Sequence, residues 1–191
     1  MNLPRLLVLT DRFQCKRGLL EVVSDVVEAG ARAVVLREKD LPPVDRAELA
    51  QGVRRLLEPV AGLLALAGPD GEAVHLAAAD AFPCTRPHLV GRSCHNAAEL
   101  AAAGDEGCDY VTVSPVFPSA SKPGYGPVLG IDGLAALISA GVPSVYALGG
   151  IRPADVAACR AVGATGVAVM GPIMRDPRLT ADYLNALRKK P

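Results

Sequence analysis

The segment SVYALGGIRPADVAACRAVGATGVAVMG, residues 144–171, contains the unit from which the fold is built. It has an apolar run at 144–148, a glycine turn, a helical pattern at 153–163 and a second apolar run at 166–170. Apolar runs without polar alternation are typical of parallel strands that are buried on both faces. The segment therefore predicts a strand, a helix and a second, parallel strand.

The same alternation extends outward through the whole chain. Eight strands are predicted, at 6–10, 33–38, 63–68, 73–77, 88–93, 110–116, 144–148 and 166–170. Helical patterns follow most of them, at 18–30, 45–62, 96–107, 131–141, 153–163 and 179–190. A (β/α)8 barrel is the simplest closure of eight such strands, and an open doubly wound sheet is the alternative that periodicity does not exclude.

The length of the chain predicts a shortened barrel. At 191 residues the chain is below the roughly 250 residues that are typical of such barrels. Only residues 69–72 separate the third and fourth strands, and residues 78–87, before the fifth, allow one helical turn. We therefore expect a single α/β domain over residues 1–191, a compact (β/α)8 TIM barrel whose helix between strands 3 and 4 is missing or reduced. The apolar flank left by that helix predicts a homo-oligomer.

Composition excludes several classes of partner. Lysine plus arginine and aspartate plus glutamate both number 20, so no broad basic field favours nucleic acid or an anionic membrane. The five cysteines are scattered and contain no C-x-x-C pair, which argues against a disulfide framework or a zinc ribbon and favours the cytoplasm. The apolar run near the N-terminus is too short for a signal peptide or a membrane span.

Two cations lie at the end of the second predicted strand. Alternation in AVVLREKD places Val35, Arg37 and Lys39 on one face, which would be the barrel lumen. Two like charges in a barrel mouth need a compensating anion, so a phosphate-bearing ligand is one interpretation. An internal ion pair with Glu38 or Asp40 is the other.

Glycine turns follow the last two strands. Gly149 and Gly150 follow the seventh strand, and Gly171 and Pro172 follow the eighth. Barrels of this class bind phosphate there, through backbone amides at a helix N-terminus. Together the turns favour a phosphate site, although either could be only a tight turn.

A long loop, PVFPSASKPGYGPVLG at residues 115–130, follows the sixth strand. Ser119, Ser121 and Lys122 could meet an anion at the barrel mouth, and the glycines would let the loop close over it. A solvated excursion with an incidental lysine is the alternative interpretation.

Three further side chains could take part in chemistry. Asp80, after the fourth strand, could hold Mg²⁺ beside a pyrophosphate or could cap a turn. His75 lies inside an apolar strand, which favours a hydrogen-bonded core histidine over a catalytic base. Cys94 and His95 are neighbours whose side chains would face opposite ways, which argues against a nucleophile pair.

These motifs, in this order, resemble the thiamine-phosphate synthase/TenI family. The resemblance rests on LREKD at strand two, VHL and Asp80 at strand four, GRSCH, DYVTVSPVFPSASKPGYGPVLG, ALGGI and GVAVMGPI. It implies a barrel that joins a hydroxymethylpyrimidine pyrophosphate to a thiazole phosphate. It also implies that the pyrophosphate is held by Ser93 and by the catalytic residues Arg37, Lys39 and Lys122, Mg²⁺ by Asp80, and the thiazole phosphate by Gly150 and the Met170–Gly171 turn. Ser119 and Ser121 keep the hydroxyls of a T-x-T motif before the lysine, and with Gly149 they complete the predicted substrate-binding residues.

The chain departs from the family pattern at the positions that read the pyrimidine and hold the metal. Val35 stands in place of a glutamine, Ala67 and Gly68 in place of an Asn-Asp pair, and residues 77–79 are all alanine where the family has Gly-Gln-Glu. Three functions therefore stay open: a synthase-like transferase, a TenI-like thiazole tautomerase, and a non-catalytic binder of a phosphorylated ligand. The retained serines, lysine and Asp80 favour the transferase. The tautomerase branch has a histidine where this chain has Ser114 and Pro115.

Overall fold

Eight parallel strands close into a barrel in the order of the chain. The computed structural model describes residues 3–119, 127–139, 141 and 144–189. Each strand pairs with the next, and the last pairs with the first through Leu6 opposite Val167 and Val8 opposite Val169. This closure confirms the (β/α)8 barrel and excludes the open sheet.

The elements follow the predicted alternation closely. The strands are β1 (Leu6–Leu9), β2 (Ala33–Leu36), β3 (Leu63–Ala67), β4 (Ala73–Leu76), β5 (Leu89–Cys94), β6 (Tyr110–Val113), β7 (Ser144–Leu148) and β8 (Gly166–Val169). The α-helices are α1 (Leu19–Glu28), α2 (Pro43–Leu57), α3 (Ala97–Asp105), α4 (Gly130–Ile138), α5 (Val156–Ala161), α6 (Gly171–Arg175) and α7 (Leu179–Arg188). No helix in the described ranges is both long and apolar enough to cross a membrane.

The strands separate two apolar layers. Val35 points into an inner cluster that fills the lumen, whereas its neighbour Leu36 joins the outer cluster that packs under the helices. Both residues are almost completely buried. This is the two-sided burial that the apolar strands predict, and it places every second side chain of β2 in the lumen.

Two helices of the regular pattern are missing on one side of the barrel. Residues 68–72, which connect β3 to β4, form only a turn, as the short sequence predicts. Residues 77–88, which connect β4 to β5, contain turns and bends but no helix. The segment contains one tight turn, closed by the amide of Asp80 on the carbonyl oxygen of Ala77 at 3.1 Å, in keeping with the single turn that its length allows. The remaining loop backbone is bonded to the buried Arg92.

A glycine in β5 makes room for a tyrosine in the lumen. Gly91 lies opposite His75 of β4 on one side and Tyr110 of β6 on the other. A Cβ atom on Gly91 would lie 2.0 Å from Cζ of Tyr110. The missing side chain lets the tyrosine ring cross the face of β5 and bring its hydroxyl to His75.

Replacing Gly91 by alanine should therefore destabilise the barrel. The added methyl group cannot fit without displacing the buried Tyr110 ring, and overpacking of this kind costs about 1–3 kcal/mol or more. Urea unfolding of Gly91→Ala measures the loss. The control is Gly18→Ala, whose Cβ would meet only the Glu21 side chain, at 3.4 Å. Equal stability of the two variants would contradict this packing.

Candidate active site at the barrel mouth

A cavity of about 780 Å³ lies at the carboxyl ends of the strands. It brings together most of the predicted site residues: Arg37, Lys39, Ser93, Ser119, Gly149, Gly150, Met170 and Gly171. Lys122 and Ser121 lie outside the described residues. Drug-sized and cofactor-sized ligands occupy cavities of roughly this volume.

Arg37 lies at the cavity and contacts residues that follow β1 and β8. Its backbone amide donates to the hydroxyl of Thr10 at 3.0 Å, which fixes the end of β2 against β1. Its guanidinium Nη1 lies 2.9 Å from the sulfur of Met170, which follows β8. The side chain is half-buried, so the cation faces the cavity between the β2 side and the β8 side.

Lys39 pairs with Asp80 across the gap between β2 and β4. Its Nζ lies 3.1 Å from Oδ2 of Asp80. The same oxygen accepts from the amide of Ala77 at 2.8 Å, so Asp80 also closes the turn after β4. Burial opposes ionisation, but the Ala77 amide and the lysine outweigh it and hold the pKa of the Asp80 carboxyl below its usual value.

The two acidic residues beside these cations bind a third cation. Glu38 and Asp40 both bind the guanidinium of Arg12, from the loop after β1. Arg12, rather than Arg37 or Lys39, therefore holds both carboxylates, and the alternative interpretation of an ion pair between the β2 cations and Glu38 or Asp40 is wrong. Lys39 pairs with Asp80 instead, and Arg37 lines the cavity.

Two properties of the turn after β7 require glycine: the backbone conformation and the close packing against the loop after β6. Gly149 and Gly150 both have a positive φ, of 94° and 63°. A Cβ on Gly150 would lie 2.3 Å from the carbonyl oxygen of Pro118, and one on Gly149 would lie 2.9 Å from Cα of Pro115. The loop after β6 thus crosses directly over this turn, and the tight-turn interpretation holds whether or not phosphate binds here.

The turn after β8 leads straight into α6. Gly171 is buried and is the first residue of this short helix, with Pro172 next to it. Proline is preorganised for the start of a helix and takes no hydrogen-bond donor from it. Gly171 and Met170 line the cavity, and only β1 separates the end of β8 that carries them from the end of β2.

The wall at β3 and β4 offers almost no polar side chains. Ala67, Ala77 and Ala78 line it. His75 and Ser93 lie on the floor of the cavity beside this wall, and Asp80 and Lys39 lie at its rim. The sequence departures from the family pattern therefore leave an apolar surface beside the cationic one.

His75 is a buried, fully bonded histidine, as predicted, and it also touches the cavity. Its Nδ1 lies 3.1 Å from the hydroxyl of Tyr110, and its Nε2 lies 3.0 Å from Oγ of Ser93. Burial, with the charges of Arg37 and Lys39, lowers the pKa of His75 to about 4. The ring is therefore neutral at physiological pH.

Cys94 and His95 point to different environments, as alternation predicts. Cys94 is buried in the outer cluster, where burial raises the pKa of its thiol to about 12. His95 lines the cavity, with Nδ1 2.7 Å from the carbonyl oxygen of Ser114. A thiol so hard to ionise is a poor nucleophile, which supports the prediction that these residues form no nucleophile pair.

Sequence reasoning missed Arg92, which stabilises the helix-free side of the barrel. Its side chain is 4% exposed. Nη1 donates to three carbonyl oxygens of the β4–β5 connection, those of Ala77, Ala78 and Asp80, at 2.8–3.1 Å. Nη2 forms an ion pair with Glu106 at 2.7 Å. An arginine within an apolar strand was the available signal, because arginine is rarely buried without partners.

Sequence comparisons with known proteins agree on one family, and a solved structure agrees on the fold. The family model described as thiamine monophosphate synthase matches residues 6–173. A protein of Geobacter sulfurreducens named "Putative thiamine-phosphate synthase" is 40% identical over 90% of this chain and 87% of its own. The thiamine-phosphate synthase of Methanoregula boonei is 33% identical, over 86% of this chain and 82% of its own. Thiamine phosphate pyrophosphorylase from Pyrococcus furiosus superposes with a TM-score of 0.83 at 24% identity, covering 96% of this chain and 95% of its own.

Arg92→Met should destabilise the protein and loosen the turn that carries Asp80. The substitution keeps the apolar stem but leaves three carbonyls and Glu106 without their partner, which costs about 2–4 kcal/mol. Chemical unfolding measures this. Arg86→Met is the matched control, since Arg86 forms a solvent-accessible pair with Asp109 and lies 6.0 Å from the centre of the Phe82 ring, and exposed ion pairs contribute about 0–1 kcal/mol. Similar losses for both variants would argue against the role of Arg92.

The buried His75 should make stability depend on pH in a defined window. Its pKa is lowered from 6.5 to about 4 on folding, so the unfolded chain takes up the proton first. The free energy of unfolding should fall as pH drops from about 6.5 towards 4, by roughly 3 kcal/mol at most. His75→Gln should remove this part of the slope, whereas His88→Gln, at an exposed position, should keep it. An unchanged slope in His75→Gln would exclude the assignment.

Proposed function

Because the chain belongs to the thiamine monophosphate synthase family, we propose that it couples a pyrimidine pyrophosphate to a thiazole phosphate and releases pyrophosphate. The reaction breaks the bond between the pyrimidine methylene carbon and the pyrophosphate oxygen. It forms a bond between that carbon and the thiazole nitrogen. Both substrates carry phosphate, so the site needs two places for anions.

The observation that carries the proposal is the distribution of groups around one cavity. Arg37 and Lys39 supply fixed cations at the end of β2, and the turns after β7 and β8 present Gly149, Gly150 and Gly171. These two groups of residues flank the same space of about 780 Å³. Parallel strands place all of their carboxyl ends on one rim, which is why residues far apart in sequence meet here.

The cationic half is the proposed pyrophosphate site. Arg37, Lys39 and the Ser93 hydroxyl would bind pyrophosphate oxygens, and Ser119 lies at the same mouth. Ser121 and Lys122, which we expect to complete this half, lie outside the described residues. Cations placed at the leaving group stabilise the charge that grows on it as the bond breaks, so these residues would lower the barrier directly.

The glycine half is the proposed thiazole phosphate site. Backbone amides of glycine turns approach phosphate closely because no side chain intervenes. Gly150, Met170 and Gly171 line this part of the cavity. Arg37 contacts Met170 and lies between the halves, so it can hold the two substrates with their reacting atoms near one another.

In the proposed site, Mg²⁺ would be held by protein and pyrophosphate oxygens together. No three His, Cys, Asp or Glu side chains within the described ranges form a metal-binding cluster. Mg²⁺ is often held by one or two carboxylates together with substrate phosphates, and Asp80 supplies one such carboxylate beside the cationic half. When bound, the metal would neutralise pyrophosphate charge. While no metal is bound, the ion pair with Lys39 would also orient Asp80.

The alternative functions fit less well. The curated relatives carry the synthase name, which favours transfer over tautomerisation and over binding without turnover. The apolar wall of Ala67, Ala77 and Ala78 offers few hydrogen bonds to a pyrimidine edge. The ring would be held mainly by van der Waals contact, so we expect weaker discrimination between pyrimidine analogues than a wall of amide side chains provides.

The activity is tested by mass-spectrometric detection of thiamine phosphate from the pyrimidine pyrophosphate, the thiazole phosphate and Mg²⁺. Lys39→Met should lower kcat/KM about 10- to 100-fold, because a hydrogen bond to a charged group contributes about 1.5–3 kcal/mol. Lys122→Ala should lower it at least as much. Arg17→Met, which removes a cation paired with Asp25 outside the cavity, should retain the wild-type rate.

Each result separates the candidate functions. Product that disappears in Lys39→Met and Lys122→Ala but not in Arg17→Met supports the transferase. A folded protein that binds thiazole phosphate and makes no product would instead indicate a binder. Conversion of a thiazole isomer without pyrophosphate would indicate the tautomerase.

A further inference from the structure

A chain of buried polar groups runs beneath the cationic half of the cavity. Tyr110 of β6, His75 of β4 and Ser93 of β5 are linked by contacts of 3.1 Å and 3.0 Å through the two ring nitrogens of the histidine. Tyr110 and His75 are 1% and 4% exposed, whereas Ser93 reaches the cavity. The series of hydrogen-bonded groups therefore runs from the tyrosine through the histidine to the serine, which would contact the ligand.

The tyrosine hydroxyl decides which histidine nitrogen carries the proton. A buried phenol must donate its hydrogen to an acceptor. Among the described residues, the partner within hydrogen-bond distance of that hydroxyl is Nδ1 of His75. If Tyr110 donates to Nδ1, this nitrogen is unprotonated and the hydrogen of the neutral ring lies on Nε2.

The histidine in turn decides the direction of the serine hydroxyl. With its hydrogen on Nε2, His75 donates to Oγ of Ser93. Thr112 makes a longer contact with the same oxygen, at 3.5 Å, again as donor. Both acceptor positions of the serine are then used, so its own hydrogen points to the cavity. With the opposite tautomer, Ser93 would donate to His75 and present lone pairs to the ligand.

We propose that His75, oriented by Tyr110, holds Ser93 as a hydrogen-bond donor to an acceptor-only anionic group of the substrate, the pyrophosphate. The identity of the anion rests on the proposed function, and the direction of the hydroxyl rests on the contacts alone. Ser93 touches the ligand, and His75 and Tyr110 are positioning residues that act through it. Gly91 contributes to the same arrangement, because the absence of a side chain at this position leaves room for the Tyr110 ring.

The tautomer is directly measurable by ¹⁵N NMR of histidine-labelled protein at neutral pH. The His75 signals are assigned by their loss in His75→Gln. We expect the wild-type spectrum to show an unprotonated Nδ1 and a protonated Nε2 in His75. Tyr110→Phe removes the hydroxyl, so the Nε2-protonated form should no longer be enforced and the two nitrogen shifts should move towards each other. A protonated Nδ1 in the wild-type protein would overturn the proposal.

Binding of inorganic pyrophosphate, measured by calorimetry with Mg²⁺ present, tests the consequence. Ser93→Ala should weaken binding about 10-fold, and Tyr110→Phe should weaken it by a similar or smaller factor. The double variant should bind no more weakly than Ser93→Ala alone, because Tyr110 acts through the serine. Tyr146→Phe is the control, since it removes a hydroxyl bonded to Pro4 outside this chain of contacts.

The outcomes distinguish this proposal from the proposed function. Additive losses in the double variant, or a Tyr110→Phe protein that binds pyrophosphate like the wild type, would overturn the role of His75 even in an active synthase. Wild-type protein that binds no pyrophosphate would overturn it too. The expected tautomer and non-additive binding in a protein that makes no thiamine phosphate would support the anion site and reject the synthase.

Discussion

The pairing of β8 with β1 is the interaction on which the other features depend. It closes the parallel sheet, removes both exposed edges and places the carboxyl ends of all eight strands on one rim. Without closure, Arg37 at the end of β2 would not meet Met170 at the end of β8. The cationic and glycine-rich halves of the site are neighbours only because the first and last strands are neighbours.

A shortened barrel must still provide hydrogen-bond partners for the backbone groups that its missing helices would have covered. Between β4 and β5 this is done by one side chain, Arg92, which binds three carbonyl groups of the connection and one carboxylate from the end of α3. The arginine lies in the outer layer, between strand and loop, where a helix would otherwise pack. The same contacts hold the turn that carries Asp80, so the compact fold and the position of a predicted metal ligand have one physical cause.

The site itself is divided by charge. Arg12 binds Glu38 and Asp40, Lys39 pairs with Asp80 and Arg37 faces the cavity, while the alanines at β3 and β4 provide an apolar wall beside them. Such a division suits a substrate with an anionic leaving group and a flat ring. Beneath it, neutral His75 adds polarity to the floor without adding charge, because burial and the nearby cations keep the ring unprotonated.

The alternation of strands and helices, the missing third helix and the position of Arg37, Lys39, Ser93 and the glycine turns at one mouth could all be predicted from the amino-acid sequence. These follow from local rules, since periodicity and the parallel sheet decide which side chains reach the carboxyl rim. The choice of partners depends on the folded barrel. Lys39 binds Asp80, Arg12 binds Glu38 and Asp40, which one interpretation of the sequence assigns to the β2 cations, and Arg92 binds the connection from β4 to β5. Partner choice depends on distances across strands that are far apart in sequence, and no local pattern encodes those distances.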